Sequence, residues 1–397
     1  MSRVVIISAV FPPEPLVTAM LSRDIAERLS VTHQVTVLCP EPTRPQGYHF
    51  SKKKDKLPYE VVHLPSFTSP ESKIIGRLRE SISFGKYCAK YILEHKSDID
   101  VIYVNTWPLF AQKEAVKAAK KYHIPSVLHV QDIYPESIAK KLPIVLNKTI
   151  TKIFLPMDQS ILLKATLILG ISNSMIDYLS STRRVHRSKF ELIRNWQDDD
   201  AFVNYIPKEK ESEDFIFMYV GSIAPSAGVE NVIKAYNKLL QRKTKLIIAG
   251  NGPDKAKCVQ LANDLNNESI EFLEVSPDEV PELQSKADVL ILPLKKGIAQ
   301  TATPSKLTAY LLSAKPVIAC VEDNTDVAEI IKEGECGIIV PPEEIELLTD
   351  AMHNACNLSK EKLNQMGQNS RDYALKELSK EANLTKLTGL IEKLIPK

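Results

Sequence analysis

Thr301-Ala302-Thr303-Pro304-Ser305-Lys306-Leu307 runs into a helical stretch from Thr308 to Ser313 and then the strand Pro316-Val317-Ile318-Ala319. A polar loop meets a proline, and behind it Leu307, Tyr310 and Leu311 recur at helical spacing. Upstream, Ala287-Asp288-Val289-Leu290-Ile291-Leu292-Pro293 reads as a buried strand. The loop therefore stands at the carboxyl end of a parallel strand, where open α/β sheets bind ligands. A helix start leaves backbone N–H groups without partners and carries partial positive charge, so it suits a phosphate. Ser305 adds a hydroxyl and Lys306 a full charge at the same mouth. The competing reading is an ordinary N-cap with a solvated lysine.

Two further loops in the second half follow apolar strands. Phe215–Val220 ends at Gly221-Ser222, and Lys245–Ala249 ends at Gly250-Asn251-Gly252-Pro253. Small residues there let a ligand approach the backbone closely. The first half alternates in the same way, with strands at Val4–Val10, Gln34–Cys39, Glu60–Leu64, Val101–Val104, Ser126–Val130, Thr166–Gly170 and Phe190–Ile193, most of them separated by helical segments. Repeated β-then-α units predict parallel sheets covered on both faces. The expectation is two doubly wound, Rossmann-like α/β domains facing a cleft: residues 1–200, a polar linker over 201–214, residues 215–377, and a C-terminal helix over 378–397.

The length of 397 residues suits two domains, and the composition, 44% apolar and 25% charged, is globular. No apolar run approaches the roughly 20 residues needed to span a bilayer. The opening Met1-Ser2-Arg3-Val4-Val5-Ile6-Ile7-Ser8 reads as a first strand rather than a signal peptide. Six well-separated cysteines without a CxxC pair suggest reduced thiols and a cytoplasmic setting. Charge is uneven: residues 1–206 hold 28 Lys/Arg against 20 Asp/Glu, and the remainder 23 against 29. A basic first half points to an anionic partner, and a surface bias without a partner is the alternative.

These residues carry a resemblance. Gly221-Ser222, the Gly250–Pro253 loop, Ala287-Asp288-Val289 with Pro293, and Pro304-Ser305-Lys306-Leu307 with Tyr310 and Lys315-Pro316-Val317-Ile318-Ala319 resemble the donor domain of family 4 retaining glycosyltransferases of the GT-B fold. In the first half, Phe11-Pro12-Pro13-Glu14-Pro15, Gln131-Asp132-Ile133-Tyr134-Pro135-Glu136-Ser137 and Leu192-Ile193-Arg194-Asn195-Trp196 are similar to segments of capsule, O-antigen, colanic-acid and L-fucosaminyltransferase-type enzymes. The resemblance covers nearly the whole chain. It implies a nucleotide-sugar donor, UDP-linked, held by the second domain at Gly221, Ser222, Gly250, Asn251, Val275, Thr303, Pro304, Ser305 and Lys306. It also implies a lipid-linked glycan acceptor on the first domain, and a C-terminal helix crossing back to that domain.

The chain departs from the family pattern at defined places. Two glutamates eight residues apart are replaced by Thr301 and Ala309; a basic pair that grips the diphosphate falls at Ser222 and Ala227; and the Gly-Gly of the first loop is Pro15-Leu16. More of the phosphate work then falls to Lys306, Ser305 and the amides behind Pro304. Retaining transfer needs charge stabilisation of the leaving diphosphate, which can itself take the acceptor's proton. No metal or other cofactor is expected: Asp198-Asp199-Asp200 falls at the linker and Asp98-Ile99-Asp100 before a strand.

In the first half Asp132 and Glu136 stand just past a strand and, with Lys306, are the candidate catalytic residues. An Asp cap and a Glu ion pair are the plainer readings. His129, inside an apolar strand, reads as a core histidine. The stretches Lys73 to Lys96 and Lys140 to Lys164 mix cations with Ile, Leu and Phe, which suits an anionic membrane surface or an ordinary packed helix with a solvated face. No basic stripe interleaved with aromatics supports nucleic-acid binding. A non-catalytic GT-B subunit and a UDP-sugar 2-epimerase are the rival functions.

Overall fold

The computed structural model describes residues 1–45, 50, 56–69, 74–105, 109–139, 143–206, 212–240, 243–300 and 304–396. The chain divides into two compact units, Met1–Asn195 with Asn383–Lys397, and Trp196–Ala382.

Among the described residues the first unit holds a seven-stranded sheet: β1 (Arg3–Ser8), β2 (Gln34–Pro40), β3 (Glu60–Leu64), β4 (Val101–Asn105), β5 (Ser126–Val130), β6 (Leu167–Gly170) and β7 (Phe190–Leu192). The spatial order is β3-β2-β1-β4-β5-β6-β7, and each pairing is parallel. Every residue of β4 and β5 is buried, as a sheet covered on both faces requires. One face packs on the helices Ile74–Glu94 and Phe110–Lys121 through Phe84, Cys88, Ala115 and Val116. The C-terminal residues belong to this unit: Asn383 Oδ1 accepts from the Arg194 N–H (2.9 Å), while Leu384, Leu387 and Ile391 are buried.

The second unit holds a six-stranded sheet: β8 (Phe215–Val220), β9 (Thr244–Ala249), β10 (Ile270–Leu273), β11 (Val289–Pro293), β12 (Val317–Cys320) and β13 (Gly337–Val340). Its order is β10-β9-β8-β11-β12-β13, again parallel at each pairing. Numbered within the unit this is 3-2-1-4-5-6, the dinucleotide-fold order, whose strand sequence reverses between β8 and β11. The ladder there is short. β8 pairs with β11 only at Phe217–Val289 and Met218–Leu290, whereas β11 stays with β12 as far as Pro293–Cys320. The two strands part at their carboxyl ends, and that gap is where the helix Ser305–Leu312 begins its course.

The segment read as a linker contributes the short helix Asp200–Val203 to this second unit. Arg371 donates to the carbonyls of Leu312 (2.6 Å) and Val203 (2.8 Å), and Asp199 Oδ2 accepts the Lys380 N–H (2.8 Å). These bonds account for ordered backbone in a polar, aperiodic stretch. All six cysteines are free, and five are buried. Among the described residues no helix is long and apolar enough to cross a membrane.

Candidate functional site

Pro304 precedes the helix Ser305–Leu312 in extended conformation, so Ser305 and Lys306 open the helix, as their place at its mouth in the sequence implies. Its first N–H groups lack intrahelical acceptors by geometry; Leu307 N–H turns back to the Pro304 carbonyl (3.0 Å). Ser305 is exposed, and its carbonyl accepts from Gln197 Nε2 (3.1 Å). Thr303, Ala302 and Thr301 lie outside the described residues.

Lys306 points back across the end of β8. Its ammonium donates to the Tyr219 hydroxyl (2.9 Å) and sits 4.7 Å from the centre of the Tyr219 ring. The same hydroxyl donates to the Ser222 carbonyl (2.5 Å). Burial lowers the Lys306 pKa to about 8 and pushes the Tyr219 phenol up. Among the described residues Lys306 has no carboxylate partner.

Gly221 has φ +149°, and a Cβ there would stand 3.1 Å from Lys306 Nζ. Gly250 has φ +140°, and a Cβ there would collide with the Gly221 carbonyl. The two loops are stitched together: Gly221 N–H donates to the Ala249 carbonyl (2.9 Å) and Ile223 N–H to the Asn251 carbonyl (2.8 Å). Asn251 Oδ1 accepts the Gly252 N–H (2.9 Å). Ser222 and Asn251 are exposed, whereas Val275 packs half-buried on the core beneath. The structure thus brings Gly221, Ser222, Gly250, Asn251, Pro304, Ser305 and Lys306 to the carboxyl end of one sheet. Tyr219 belongs with them and carries no loop signal of its own; its place in a six-residue apolar strand disguises it.

In the first unit, Asp132 is exposed in the loop after β5, and Glu136 starts the short helix Glu136–Ala139. Tyr134 and Pro135 form a turn between them, and the helix begins only at Glu136. Glu136 is engaged on both oxygens: Arg183 Nη1 donates to Oε1 (2.7 Å), Nη2 to Oε2 (2.6 Å), and the Tyr178 hydroxyl to Oε1 (2.9 Å). Arg183 is fully buried, and it also donates to Asp158 Oδ2 (2.7 Å) and the Tyr134 carbonyl (2.5 Å). Burial raises the Glu136 pKa, but the Arg183 hydrogen bonds outweigh it and the net shift is downward. Burial wins at Asp158, which rises to about 6. His129 is a core residue: its Nδ1 meets the Tyr103 hydroxyl (2.6 Å), its Nε2 lies 3.3 Å from Gln131 Nε2, and burial lowers its pKa to about 3.

The Asp-x-Asp runs have structural tasks. Asp100 Oδ2 accepts the Arg3 N–H (2.7 Å), and Asp198 Oδ1 accepts the Asp200 N–H (3.3 Å). Among the described residues no group of three or more His, Cys, Asp and Glu is placed to hold a metal ion. Lys140, Lys141 and Lys73 of the basic stretches lie outside the described residues.

Residues 19–201 match the family model described as Glycosyltransferase Family 4, and residues 204–373 match that described as Glycosyl transferases group 1. The chain belongs to the family 4 glycosyltransferases. It is 28% identical over 195 residues to the putative colanic acid biosynthesis glycosyl transferase WcaI of Escherichia coli, a match covering 48% of this chain and 47% of that protein. The chain's match thus spans about half the length of that relative. A glycosyltransferase from Rickettsia africae superposes with TM-score 0.71 at 15% identity, covering 100% of this chain and 99% of that one. HepE of Anabaena, in complex with UDP, superposes with TM-score 0.63 at 17% identity, covering 99% and 100%. At such identities the superpositions speak to the fold, which is GT-B.

Proposed function

We propose that this protein is a retaining glycosyltransferase that moves a hexose or amino-hexose from a UDP-sugar to a lipid-linked glycan in surface polysaccharide synthesis. The observation that carries the reading is the Lys306 ammonium, without a carboxylate partner among the described residues, between a helix start and Gly221 where β8 and β11 part. Support comes from the UDP held by the Anabaena neighbour and from the Escherichia coli relative, a putative colanic acid biosynthesis glycosyl transferase.

In this reading the bond from the sugar's C1 to the diphosphate breaks and its electron pair leaves on phosphate oxygen. Lys306 and the helix-start amides stabilise that charge, with no metal ion required. The acceptor hydroxyl attacks on the same face, and its proton passes to the departing phosphate. Asp132 orients that hydroxyl, while Glu136 acts through Arg183 to hold the segment that carries Asp132. The helix Ile74–Glu94 presents exposed Ile75 and Ile82, and Arg79 lies 4.3 Å from the Phe67 ring centre; this mixed face rests on an anionic leaflet that supplies the acceptor.

The test is calorimetric titration with UDP-, GDP- and TDP-sugars, followed by anomer analysis of any product. Tight binding of a UDP-sugar and retained configuration support the reading; no affinity for any of them rejects it. One observation favours a non-catalytic subunit instead. Ala309, where the family carries a ribose-binding glutamate, is buried, and its methyl side chain offers a ribose no hydrogen bond. Transfer or hydrolysis of a nucleotide sugar by the purified protein separates the two.

A further inference from the structure

We propose that Tyr219 is the positioning residue of this anion site: its hydroxyl and ring hold the Lys306 ammonium over Gly221 before any ligand arrives. The inference rests on the reading of Lys306 as a diphosphate ligand.

A phenylalanine would fill the same buried space in β8, so the core does not call for a hydroxyl at Tyr219. Among the described residues that hydroxyl hydrogen-bonds Lys306 Nζ and the Ser222 carbonyl, both of the ligand loops. The choice of partner matters. A carboxylate beside Lys306 would fix the ammonium but cancel its charge. A phenol oxygen takes one ammonium hydrogen, its ring face adds a cation–π contact, and the full charge remains for an incoming anion. Gly221 completes the arrangement, since a Cβ would press on Nζ at 3.1 Å. A lysine fixed in advance loses less freedom on binding, which is the advantage of preorganisation.

Among the described residues, Tyr219 of β8 faces this ammonium directly, and Tyr310 of the Lys306 helix and Cys258 of the helix Lys255–Asp264 face Tyr219 in turn. Burial pushes all three up, Cys258 to about 11. An accepting phenol favours the charged lysine, so its loss moves the lysine's titration to lower pH.

The experiment is titration of the full chain with UDP across pH 6 to 10, using wild type, Tyr219→Phe, Lys306→Met and the double variant, with melting temperatures recorded. Tyr219→Phe is expected to weaken UDP about fivefold to tenfold and to shift the alkaline fall in affinity to lower pH, at nearly unchanged melting temperature. In the Lys306→Met background the same change has no further effect. Wild-type affinity and pH profile in Tyr219→Phe, or an equal loss with and without Lys306, overturns the inference. Unchanged UDP binding in Lys306→Met overturns the anion-site reading itself, a distinct result.

Discussion

The Tyr310 hydroxyl accepts a hydrogen bond from Val220 N–H and donates one to the Val220 carbonyl, each 2.8 Å. Val220 is the last residue of β8, beyond the point where that strand's ladder with β11 stops. One side chain therefore satisfies both backbone groups that, among the described residues, the parting strands leave open. It also bolts the helix Ser305–Leu312 to the strand that leads into Gly221. Tyr310→Phe strands two buried polar groups, and the expected cost is about 1–3 kcal/mol in chemical denaturation. Because the helix loosens, UDP affinity falls as well. Wild-type stability in that variant contradicts the assignment.

Donor affinity should depend on pH through Lys306. The lysine titrates near about 8 in the free protein, and a diphosphate favours the protonated form. The diphosphate diester of a UDP-sugar does not itself titrate in this range, and the uracil N3–H does so only above about pH 9. Affinity should therefore be level below about pH 7 and weaken as pH rises past about 8. Calorimetry with UDP-glucose at several pH values reads this directly; Lys306→Met should flatten the profile. A profile that weakens on acidification has the wrong sign.

Gly250 and Gly221 should fail in different ways on substitution by alanine. At Gly250 the new Cβ meets the Gly221 carbonyl, so the loops must move and stability falls by about 2 kcal/mol or more. At Gly221 the nearest atoms are the flexible end of Lys306. There the larger effect is on UDP affinity, with a smaller stability loss from the positive φ. Equal melting temperatures for the two variants contradict this.

His129 should make the fold acid-sensitive. Its pKa is lowered from 6.5 to about 3, so the unfolded chain binds a proton that the folded chain refuses. Stability contributed this way is present above about pH 6.5 and declines as pH falls toward about 3, by at most about 1.4 kcal/mol per unit. Urea unfolding at pH 7 and pH 5 of wild type and His129→Gln measures it. The variant should lose less on acidification than wild type does.

The sheets were legible because parallel strands buried on both faces are written as short apolar runs. Glu60–Leu64, Ser126–Val130 and Phe215–Val220 have the same bounds in sequence and structure. The helix Asp326–Glu333 is harder to read, since its eight residues between two strands pass for a loop. Its start signal is Thr325, whose side chain accepts the Ala328 N–H (3.4 Å). The glycine loops and Lys306 were visible through their place after strands. The pairing of Lys306 with Tyr219, 87 residues away, was not, nor was that of Glu136 with Arg183, 47 residues away. Local periodicity carries no information about which distant side chains the fold brings together.

The most direct test is UDP-glucose binding by wild type, Lys306→Ala and Asp132→Ala under identical conditions near neutral pH. Lys306→Ala is expected to weaken binding at least about tenfold, the scale of a charge-assisted hydrogen bond, with Asp132→Ala close to wild type. The reverse order, or wild-type binding in Lys306→Ala, would contradict a diphosphate seated at the Lys306 helix start.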